Sequence, residues 1–308
     1  MGKRGKKAGI AKRLLALAAV TLLAASVFAP AASAATTECA TKYPIVLVHG
    51  AGFRDKNVVA NYWGRIPAYL TERGAKIYYG NTDGWCSIEQ GAKDLKAAVE
   101  KALAASKAEK VNIIAHSKGG LEARCMISSL GMADKVASLT TISTPHRGSM
   151  AMDSILSGVP EFMLRGVGLM GNVVRFVWGD RHPDFYAGVK SISTASAADF
   201  NKKNPDIAGV YYQSFAGEMP IGANDVILAF TRQAIGNLEG PNDGMVAVES
   251  AKWTNFRGVL RGAGGRGVSH LDEVDFRRED IAIDPILGAA TVRGFYGALA
   301  AELKQKGY

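Results

Sequence analysis

The chain has 308 residues, of which 48% are hydrophobic, so it is long enough for one large globular domain or two small ones with a substantial core. Its formal net charge is +9, but residues 1–34 contain six basic residues and no acidic one. The remaining 31 basic and 28 acidic residues give a net charge of only +3, which argues against a nucleic-acid-binding protein.

The first 34 residues have the three-part pattern of a secretory signal peptide. A basic stretch to Arg13 is followed by the apolar run 14–29, and the small-residue sequence Ala-Ser-Ala ends at Ala34. We expect cleavage after Ala34 and secretion of a single catalytic domain formed by residues 35–308. An uncleaved membrane anchor is the alternative, although the apolar run is short for a bilayer span.

Three cysteines follow this segment: Cys39, Cys86 and Cys125. An exported protein can form a disulfide bond. Of the three possible pairings we favour Cys39–Cys86, because both residues flank predicted strands in the N-terminal part of the sheet. Cys125 lies within a predicted helix, and we expect it to be a buried free thiol.

Apolar runs and helical repeats alternate along the rest of the chain. Residues 43–49 read YPIVLVH, a continuous apolar run typical of a strand buried on both faces. The predicted strands are 43–49, 76–79, 111–115, 136–143, 210–216 and 245–248, and the predicted helices are 87–106 and 119–130. This alternation predicts an α/β fold with a mostly parallel sheet flanked by helices.

Residues 153–178 interrupt the alternation with many large apolar side chains punctuated by glycine. One interpretation is a pair of core helices. The other is a helical lid whose apolar inner face covers a site for apolar substrates. The glycine-rich segment 261–267 is a predicted flexible loop rather than a phosphate cradle, because no helix start follows it.

The segment VNIIAHSKGG contains the pattern small–X–Ser–X–Gly around Ser117. The pattern follows a predicted strand and precedes a predicted helix, as a nucleophile elbow requires; an ordinary strand-to-helix loop is the alternative. A serine on such a tight, strained turn projects its hydroxyl from the carboxyl edge of the sheet, above a helix N-terminus that favours negative charge. We therefore predict that Ser117 is a nucleophile.

A serine nucleophile needs a general base, and the base needs an acid that orients it. The chain order Ser, acid, His of this motif selects His270, because His182 comes too early to have the acid before it. We expect His146, which lies just after a predicted strand, to organise its own loop instead. Asp243, in a turn-forming Asn-Asp-Gly sequence 27 residues before His270, is the preferred acid. The competing aspartates are Asp206, Asp225 and Asp272.

The tetrahedral intermediate of acyl transfer carries charge on oxygen, so the site requires amide donors. The backbone N–H of Lys118 supplies one donor. We expect the other from Ala51 in the sequence HGAGF, where Gly50 and Gly52 keep the backbone open. A plain turn at the end of a strand is the alternative for this sequence.

Five blocks, YPIVLVHGAGF, AHSKGG, STPHRGS, NDGMV and SHLDEV, occur in this order over residues 43–280. Together they resemble the secreted bacterial triacylglycerol lipases of the α/β-hydrolase fold, particularly the calcium-containing group. The resemblance implies the triad and the two oxyanion donors named above, and it places residues 153–178 in the lid region. Lys118 departs from the many relatives that carry Gln, and it would bring a cation beside the oxyanion site.

The same resemblance implies a structural calcium ion near the loop of the catalytic histidine. The positions that match its carboxylate ligands are Asp225 and Asp272, and Phe276 and Asp280 are candidates by spacing for further ligands through their carbonyls. Hard oxygen ligands suit Ca²⁺, which would hold the loop and take no part in the chemistry. Two solvated surface aspartates are the alternative.

The expected activity is hydrolysis of carboxylic esters, in particular triacylglycerols at a lipid–water interface, through a Ser-His-Asp acyl-enzyme. A short-chain carboxylesterase or polyester depolymerase on the same fold is the first alternative, and a catalytically silent binding module is the second. We expect a monomer that uses no organic cofactor. Part of the resembled family depends on a dedicated folding chaperone, and no feature of this chain decides that question.

Overall fold

Parallel strands form the centre of the computed structural model, which describes residues 36–55, 61–177, 179–220, 225–226 and 228–308. The six strands of this sheet are β1 (Ile45–Val48), β2 (Ile77–Tyr79), β3 (Val111–His116), β4 (Val136–Ile142), β5 (Tyr211–Glu218) and β6 (Phe256–Arg261). Their order across the sheet is β2-β1-β3-β4-β5-β6, and every neighbouring pair is parallel. A separate antiparallel hairpin joins β7 (Ala282–Ile286) to β8 (Ala289–Thr291). Residues Thr36–Tyr308 form one compact unit.

Helices follow most of the strands, as the crossover connections of a parallel sheet require. Those on the described residues are α1 (Ile66–Glu72), α2 (Ile88–Ser106), α3 (Lys118–Ser128), α4 (Met150–Gly158), α5 (Glu161–Val177), α6 (Phe185–Ser191), α7 (Thr194–Lys203), α8 (Ala229–Glu239), α9 (Val248–Ala251) and α10 (Val292–Gln305). The predicted helix 87–106 starts at a Ser87 cap, whose side chain accepts the Gln90 amide.

The sheet is buried on both faces, which explains its continuous apolar strands. Along β1, Ile45 and Leu47 face a core shared with α1 and α10, whereas Val46 and Val48 face a core shared with α2 and α3. Successive side chains of a strand point to opposite faces, so a strand between two helical layers needs an apolar residue at every position.

The sequence prediction was wrong at two neighbouring elements. Residues 245–248 do not form a strand of the sheet; helix α9 begins at Val248, and the short bridge between Asn242 and Ala247 closes a turn. The sixth strand is β6, whose sequence FRGVLR mixes arginine and glycine with its apolar residues. As an edge strand it is only partly buried, so it lacks the continuous apolar run that identified the central strands.

The favoured Cys39–Cys86 disulfide is also wrong. All three cysteines are free and buried, including Cys125 as expected. The Cys39 amide bonds to the Arg73 carbonyl near the start of β2, whereas Cys86 follows the end of that strand. The two residues therefore lie at opposite ends of the strands, too far apart for direct bonding. Burial raises the pKa of the Cys86 thiol to about 12.

Over the described residues, none of the helices combines the length and the apolar character that crossing a bilayer would require.

Candidate active site

Ser117 lies on a sharp turn between β3 and α3. Its backbone has φ 55° and ψ −133°, a conformation that costs free energy for any residue with a side chain. The Ser117 amide donates to the carbonyl of Ile142 at 2.9 Å, at the carboxyl end of β4. The turn therefore has the strain that the sequence pattern predicted, and neighbouring elements hold it in place.

Two glycines behind the serine allow helix α3 to approach the sheet closely. A Cβ on Gly119 would lie 2.4 Å from the carbonyl oxygen of His49, and one on Gly120 would lie 2.1 Å from the Thr144 hydroxyl oxygen. Neither contact is possible for a residue with a side chain. The close packing holds the N-terminus of α3, with its positive end of the helix dipole, directly behind Ser117.

The loop after β1 passes against the serine. A Cβ on Gly50 would lie 2.7 Å from the Cβ of Ser117 and 3.2 Å from its hydroxyl oxygen, so only glycine fits there. Ala51 is the next residue of this loop, and the Gly52 amide anchors the loop by donating to the Gly84 carbonyl at 3.0 Å. Lys118 is the first residue of α3, whose first-turn amides have no acceptor within the helix. Both predicted oxyanion donors thus belong to backbone beside Ser117.

His270 and Asp243 form a direct pair at the carboxyl edge of the sheet. Nδ1 of His270 lies 2.7 Å from Oδ2 of Asp243, and the His270 amide donates to the Asp243 carbonyl at 2.9 Å. The other carboxylate oxygen accepts the amides of Met245 at 2.8 Å and Val246 at 2.7 Å. The turn around Asp243 therefore aims one oxygen at the imidazole and saturates the other.

This environment keeps Asp243 ionised. Burial acts to raise the pKa of its carboxyl, but His270 and the two amides outweigh burial and lower the pKa below its ordinary value. An ionised carboxylate only accepts hydrogen bonds, so Nδ1 of His270 carries the proton and Nε2 is left as the basic nitrogen. Of the competing acids, Asp206 accepts hydrogen bonds from Trp253 and Thr254 instead.

The histidine lies beside the nucleophile turn. The ring of His116, the residue before Ser117, has its centroid 4.3 Å from that of His270. Ser117, Asp243 and His270 are all buried. The structure therefore brings together the three residues that the sequence predicted as a triad.

A hydrogen-bond network behind the triad was not identified from the sequence. Glu273 is fully buried, and its Oε2 lies 2.9 Å from Nε2 of His116, while its Oε1 accepts the Ser143 hydroxyl at 2.8 Å. The Tyr62 hydroxyl lies 2.6 Å from Nδ1 of His116. The only sequence signal was an extra acidic residue in SHLDEV, which does not reveal that its side chain is buried.

The protonation of this network follows from burial. Burial lowers the pKa of His116 well below its ordinary value, so the ring is neutral, with one donor and one acceptor nitrogen. With Tyr62 donating to Nδ1, the Nε2–H of His116 donates to Glu273. Burial, with the nearby Asp243 charge, raises the pKa of Glu273 well above its ordinary value. The network fixes the position of His116 and, through it, the turn of Ser117.

The Lys118 side chain does not add a free cation to the oxyanion site. Its ammonium group is buried in an ion pair with Glu122, one helical turn along α3, and lies 3.6 Å from the Cys86 sulfur. Burial acts to lower the pKa of Lys118, but Glu122 outweighs it and raises the pKa above its ordinary value. The charge is therefore neutralised inside the protein, and the predicted oxyanion role of Lys118 depends on its backbone N–H alone.

The structure brings together Asp225 and Asp272, the predicted calcium ligands, with an arginine between them. The Arg277 guanidinium pairs with Asp225 through Nη2, and its Nη1 lies 3.0 Å from Oδ1 of Asp272. Both carboxylates are buried. A guanidinium is charged at all accessible pH values and cannot share two carboxylates with a dication. The donor set as it stands does not fit Ca²⁺, and no catalytic step is assigned to an ion there.

Residues 153–178 contain most of α4 and all of α5, and the core-helix interpretation of this region is wrong. The apolar side chains of α5 are largely exposed, with Met170 at 76%. The exposed ones are Phe162, Met163, Val167, Leu169, Met170, Val173, Val174, Phe176 and Val177. The outward face of α5 is thus strongly apolar, where the lid interpretation expected the apolar face to point inward.

Helix α5 is tied at its C-terminal end to the loop of Ala51, the predicted oxyanion donor after β1. Nη1 of Arg175 donates to the Gly52 carbonyl at 2.8 Å, and the same guanidinium makes two hydrogen bonds, of 3.0 and 3.1 Å, to Asp180. Gly168 packs against Phe185 of α6 along the same helix. A movement of α5 would therefore act directly on the loop of Ala51.

Known proteins resemble the chain over most of its length. Residues 44–203 match the family model described as palmitoyl protein thioesterase. A Vibrio cholerae protein named triacylglycerol lipase is 30% identical over 291 residues, which cover 85% of this chain and 90% of that protein. A Burkholderia plantarii triacylglycerol lipase is 39% identical over 203 residues, 62% of this chain and 55% of that protein.

Solved structures agree on the fold. The mature form of a Bacillus licheniformis lipase aligns with a TM-score of 0.59 at 19% identity, covering 77% of this chain and 88% of that one. A metagenomic carboxyl esterase aligns with a TM-score of 0.66 at 16% identity, covering 91% and 80% of the two chains. The predicted α/β-hydrolase fold, a mostly parallel sheet flanked by helices, is confirmed.

Proposed function

The chain belongs to the triacylglycerol lipase family, and to the family that the palmitoyl protein thioesterase model describes, and we propose that it cleaves its substrates through an acyl-enzyme on Ser117. It is a carboxylic-ester hydrolase. The observation that carries the mechanism is the 2.7 Å contact between His270 and Asp243 beside the strained turn of Ser117.

In the first half-reaction, Nε2 of His270 takes the proton of the Ser117 hydroxyl as the serine oxygen attacks the ester carbonyl carbon. Asp243 keeps the other imidazole nitrogen protonated and stabilises the imidazolium that forms. The backbone amides of Ala51 and Lys118 donate to the oxyanion of the tetrahedral intermediate. The intermediate collapses, the bond to the alkoxy oxygen breaks, and that oxygen leaves as the alcohol with the proton from His270.

In the second half-reaction, water replaces the alcohol. His270 removes a proton from water as its oxygen attacks the acyl carbon, and the same two amides again stabilise the oxyanion. The serine oxygen then leaves and recovers the proton from His270, which releases the carboxylic acid. The ester, one water molecule and the residues named here account for every bond and proton in the two half-reactions.

Triacylglycerols are the proposed substrates, on the basis of two observations. Relatives that carry the name triacylglycerol lipase align over most of the chain, and α5 exposes an apolar face near the oxyanion loop. An apolar surface of this kind is suited to a lipid phase, where a long-chain ester is found. A short-chain carboxylesterase or polyester depolymerase would use the same triad on soluble or polymeric esters.

We further propose that the enzyme acts outside the cell, after cleavage at Ala34. The basic and apolar segments of residues 1–34 support this localisation. A mature N-terminus at residue 35, read by Edman degradation of the protein from culture medium, is the expected result. An intact N-terminus on a cell-bound protein would contradict the proposal.

The substrate proposal is tested with purified protein on p-nitrophenyl esters of increasing chain length and on emulsified triacylglycerol. We expect activity on long chains and on the emulsion, and a loss of more than about a thousandfold in Ser117→Ala with unchanged circular dichroism. Activity confined to short soluble esters would select the carboxylesterase alternative. Cleavage of a palmitoyl thioester but not of oxygen esters would select a thioesterase.

A further inference from the structure

The loop that carries His270 is held by two buried aspartates and one arginine. Asp272 closes the turn of this loop, because its Oδ2 accepts the Ser269 amide at 3.2 Å and its own amide donates to the Ser269 hydroxyl at 3.3 Å. Asp225 comes from the separate segment before α8, where its Oδ1 accepts the Leu228 amide at 3.1 Å. Two segments distant in sequence thus present their carboxylates to each other.

Unpaired, these two buried carboxylates would repel each other and lose their hydration. Arg277 resolves both problems, since its guanidinium contacts both carboxylates from within the same loop. A guanidinium presents several N–H donors in a rigid plane and can bridge two carboxylates at once. The remaining part of its side chain is accessible, with 23% of the side-chain surface exposed.

We propose that Arg277 is a positioning residue that replaces a metal ion, by linking Asp225 to Asp272 and so holding the loop of His270 without calcium. Calcium would need six to eight oxygen ligands at about 2.3–2.6 Å, including both carboxylates that Arg277 already engages. The covalent attachment of the arginine makes the link independent of calcium concentration. The effect on His270 rests on the proposed function, whereas the exclusion of calcium does not.

The link reaches His270 through a short path. Arg277 holds the Asp272 carboxylate, Asp272 holds the Ser269 amide, and Ser269 directly precedes His270. On the other side of the loop, Asp275 is held separately by Arg65, with Oδ1 2.6 Å from Nη2 and Oδ2 2.9 Å from Nε. Removing Arg277 therefore frees one side of the loop while the other side stays anchored.

The decisive variant is Arg277→Gln, which removes the guanidinium from Asp225 and Asp272 and leaves their carboxylates available to a cation. The matched control is Arg266→Gln, which removes a nearby arginine of the same region that pairs with the exposed Glu279 at 2.8 Å. Thermal unfolding and calcium titration calorimetry are measured on the inactive Ser117→Ala background, in EDTA and in CaCl₂. Unfolding and calcium binding do not depend on the proposed ester hydrolysis. A failure of the Arg277 proposal is therefore distinguished from a failure of the proposed function.

For the parent and the Arg266→Gln control we expect the same Tm in EDTA and in CaCl₂, and no calcium binding. For Arg277→Gln we expect a lower Tm in EDTA and an increase of about 5 °C with CaCl₂ far above its Kd. The double variant Asp225→Asn with Arg277→Gln should lose this response to calcium. In the active enzyme, Arg277→Gln should lower kcat in EDTA with little change in KM, and calcium should restore it.

Calcium binding by the parent protein, lost in Asp225→Asn, would overturn the proposal and establish the metal site that the family resemblance implied. An Arg277→Gln variant with parental Tm and kcat in EDTA would also overturn it. If Arg277→Gln is insoluble, Arg277→Lys is measured in its place, because lysine keeps the positive charge but lacks the planar guanidinium. For Arg277→Lys we expect a lower Tm and a lower kcat in EDTA than for the parent. Parental values in this variant would contradict the proposed bridge between Asp225 and Asp272.

Discussion

At the scale of single residues, the site depends on places where no side chain fits. Ser117 is held in a strained conformation because α3, the loop after β1 and the end of β4 all press against its turn. Strain of this kind persists only where the surroundings impose it. Among the glycines packed around this turn, Gly50 is the one where an added Cβ would contact the Ser117 side chain itself.

Replacing Gly50 by alanine should therefore impair both catalysis and folding. The new methyl group would lie 2.7 Å from the Cβ of Ser117 and 2.7 Å from the Tyr62 hydroxyl oxygen. We expect a stability loss of about 1–3 kcal/mol in urea unfolding, and a large loss of kcat. The control is Gly166→Ala in α5, where a Cβ meets nothing within 4 Å and helix propensity improves. Normal activity of Gly50→Ala would show that the loop does not touch the nucleophile as described.

The network behind the triad makes a second prediction at this scale. Tyr62→Phe removes the hydroxyl that contacts Nδ1 of His116 and leaves a buried ring nitrogen without its partner. We expect a loss of about 1–3 kcal/mol in the free energy of unfolding, measured with urea. Tyr43→Phe, at a half-buried tyrosine before β1, should change it by less than about 0.5 kcal/mol. Equal stability of the two variants would argue against a structural role for this hydrogen bond.

At the scale of elements, α5 combines an apolar outer face with a firm attachment. Its exposed residues contribute little to folding, because they remain accessible to water in the folded protein. Arg175 nevertheless ties the helix to the Gly52 carbonyl. On the proposed lipid substrate, this helix would contact the lipid surface and would transmit that contact to the loop of Ala51 through Arg175.

Substituting both Leu169 and Met170 by glutamine should separate interfacial from soluble activity. Both side chains are highly exposed, so we expect the free energy of unfolding to change by less than about 1 kcal/mol. The rate on emulsified triacylglycerol should fall severalfold, while kcat/KM for a short soluble p-nitrophenyl ester should be unchanged. A parallel loss on both substrates would instead place these residues in the binding of all esters.

Some secondary-structure elements of this fold could be predicted from the sequence and others could not. The central strands and the elbow at Ser117 were predictable because each combines a local pattern with a stereochemical requirement. The edge strand β6 was not predictable, since most of its residues are only partly buried. The short helix α9 was not predictable either, since it follows a turn whose hydrogen bonds involve residues distant in sequence. Asp243 was found despite this error, because the Asn-Asp-Gly turn itself was identified correctly.

At the scale of the whole molecule, the missed features share one cause: they depend on side chains that meet only after folding. Glu273 and His116 are 157 positions apart, and Arg277 lies 52 positions from Asp225. No local spacing reveals such pairs. The triad was accessible because the chain order that accompanies the nucleophile elbow supplied the long-range relation, whereas no comparable rule places an arginine between Asp225 and Asp272.

Whole-molecule stability should depend on pH through buried histidines. His146 is fully buried, and burial, followed by the charges of Arg124 and Arg147, lowers its pKa well below the ordinary value. Below pH 6.5 the unfolded chain binds a proton that the native state does not, so the native state loses stability as the pH falls. Each such histidine contributes up to about 1.4 kcal/mol per pH unit.

His146→Gln should remove this contribution. We expect the free energy of unfolding, measured in urea between pH 5 and pH 7, to fall less steeply on acidification than in the parent. His182→Gln, at an exposed histidine, is the control and should keep the parental slope. An unchanged slope in His146→Gln would mean that this histidine binds protons equally in the native and unfolded states, so that burial does not lower its pKa.

The central claim is that Ser117 forms a covalent acyl intermediate, and trapping this intermediate tests the claim most directly. The protein is incubated with a long-chain alkyl fluorophosphonate, and the adduct is located by intact mass and peptide sequencing. The account predicts one phosphonyl group per chain, on Ser117, with complete loss of ester hydrolysis and much slower labelling in His270→Ala. An active enzyme that stays unlabelled, or a label on another residue that abolishes activity, would contradict it.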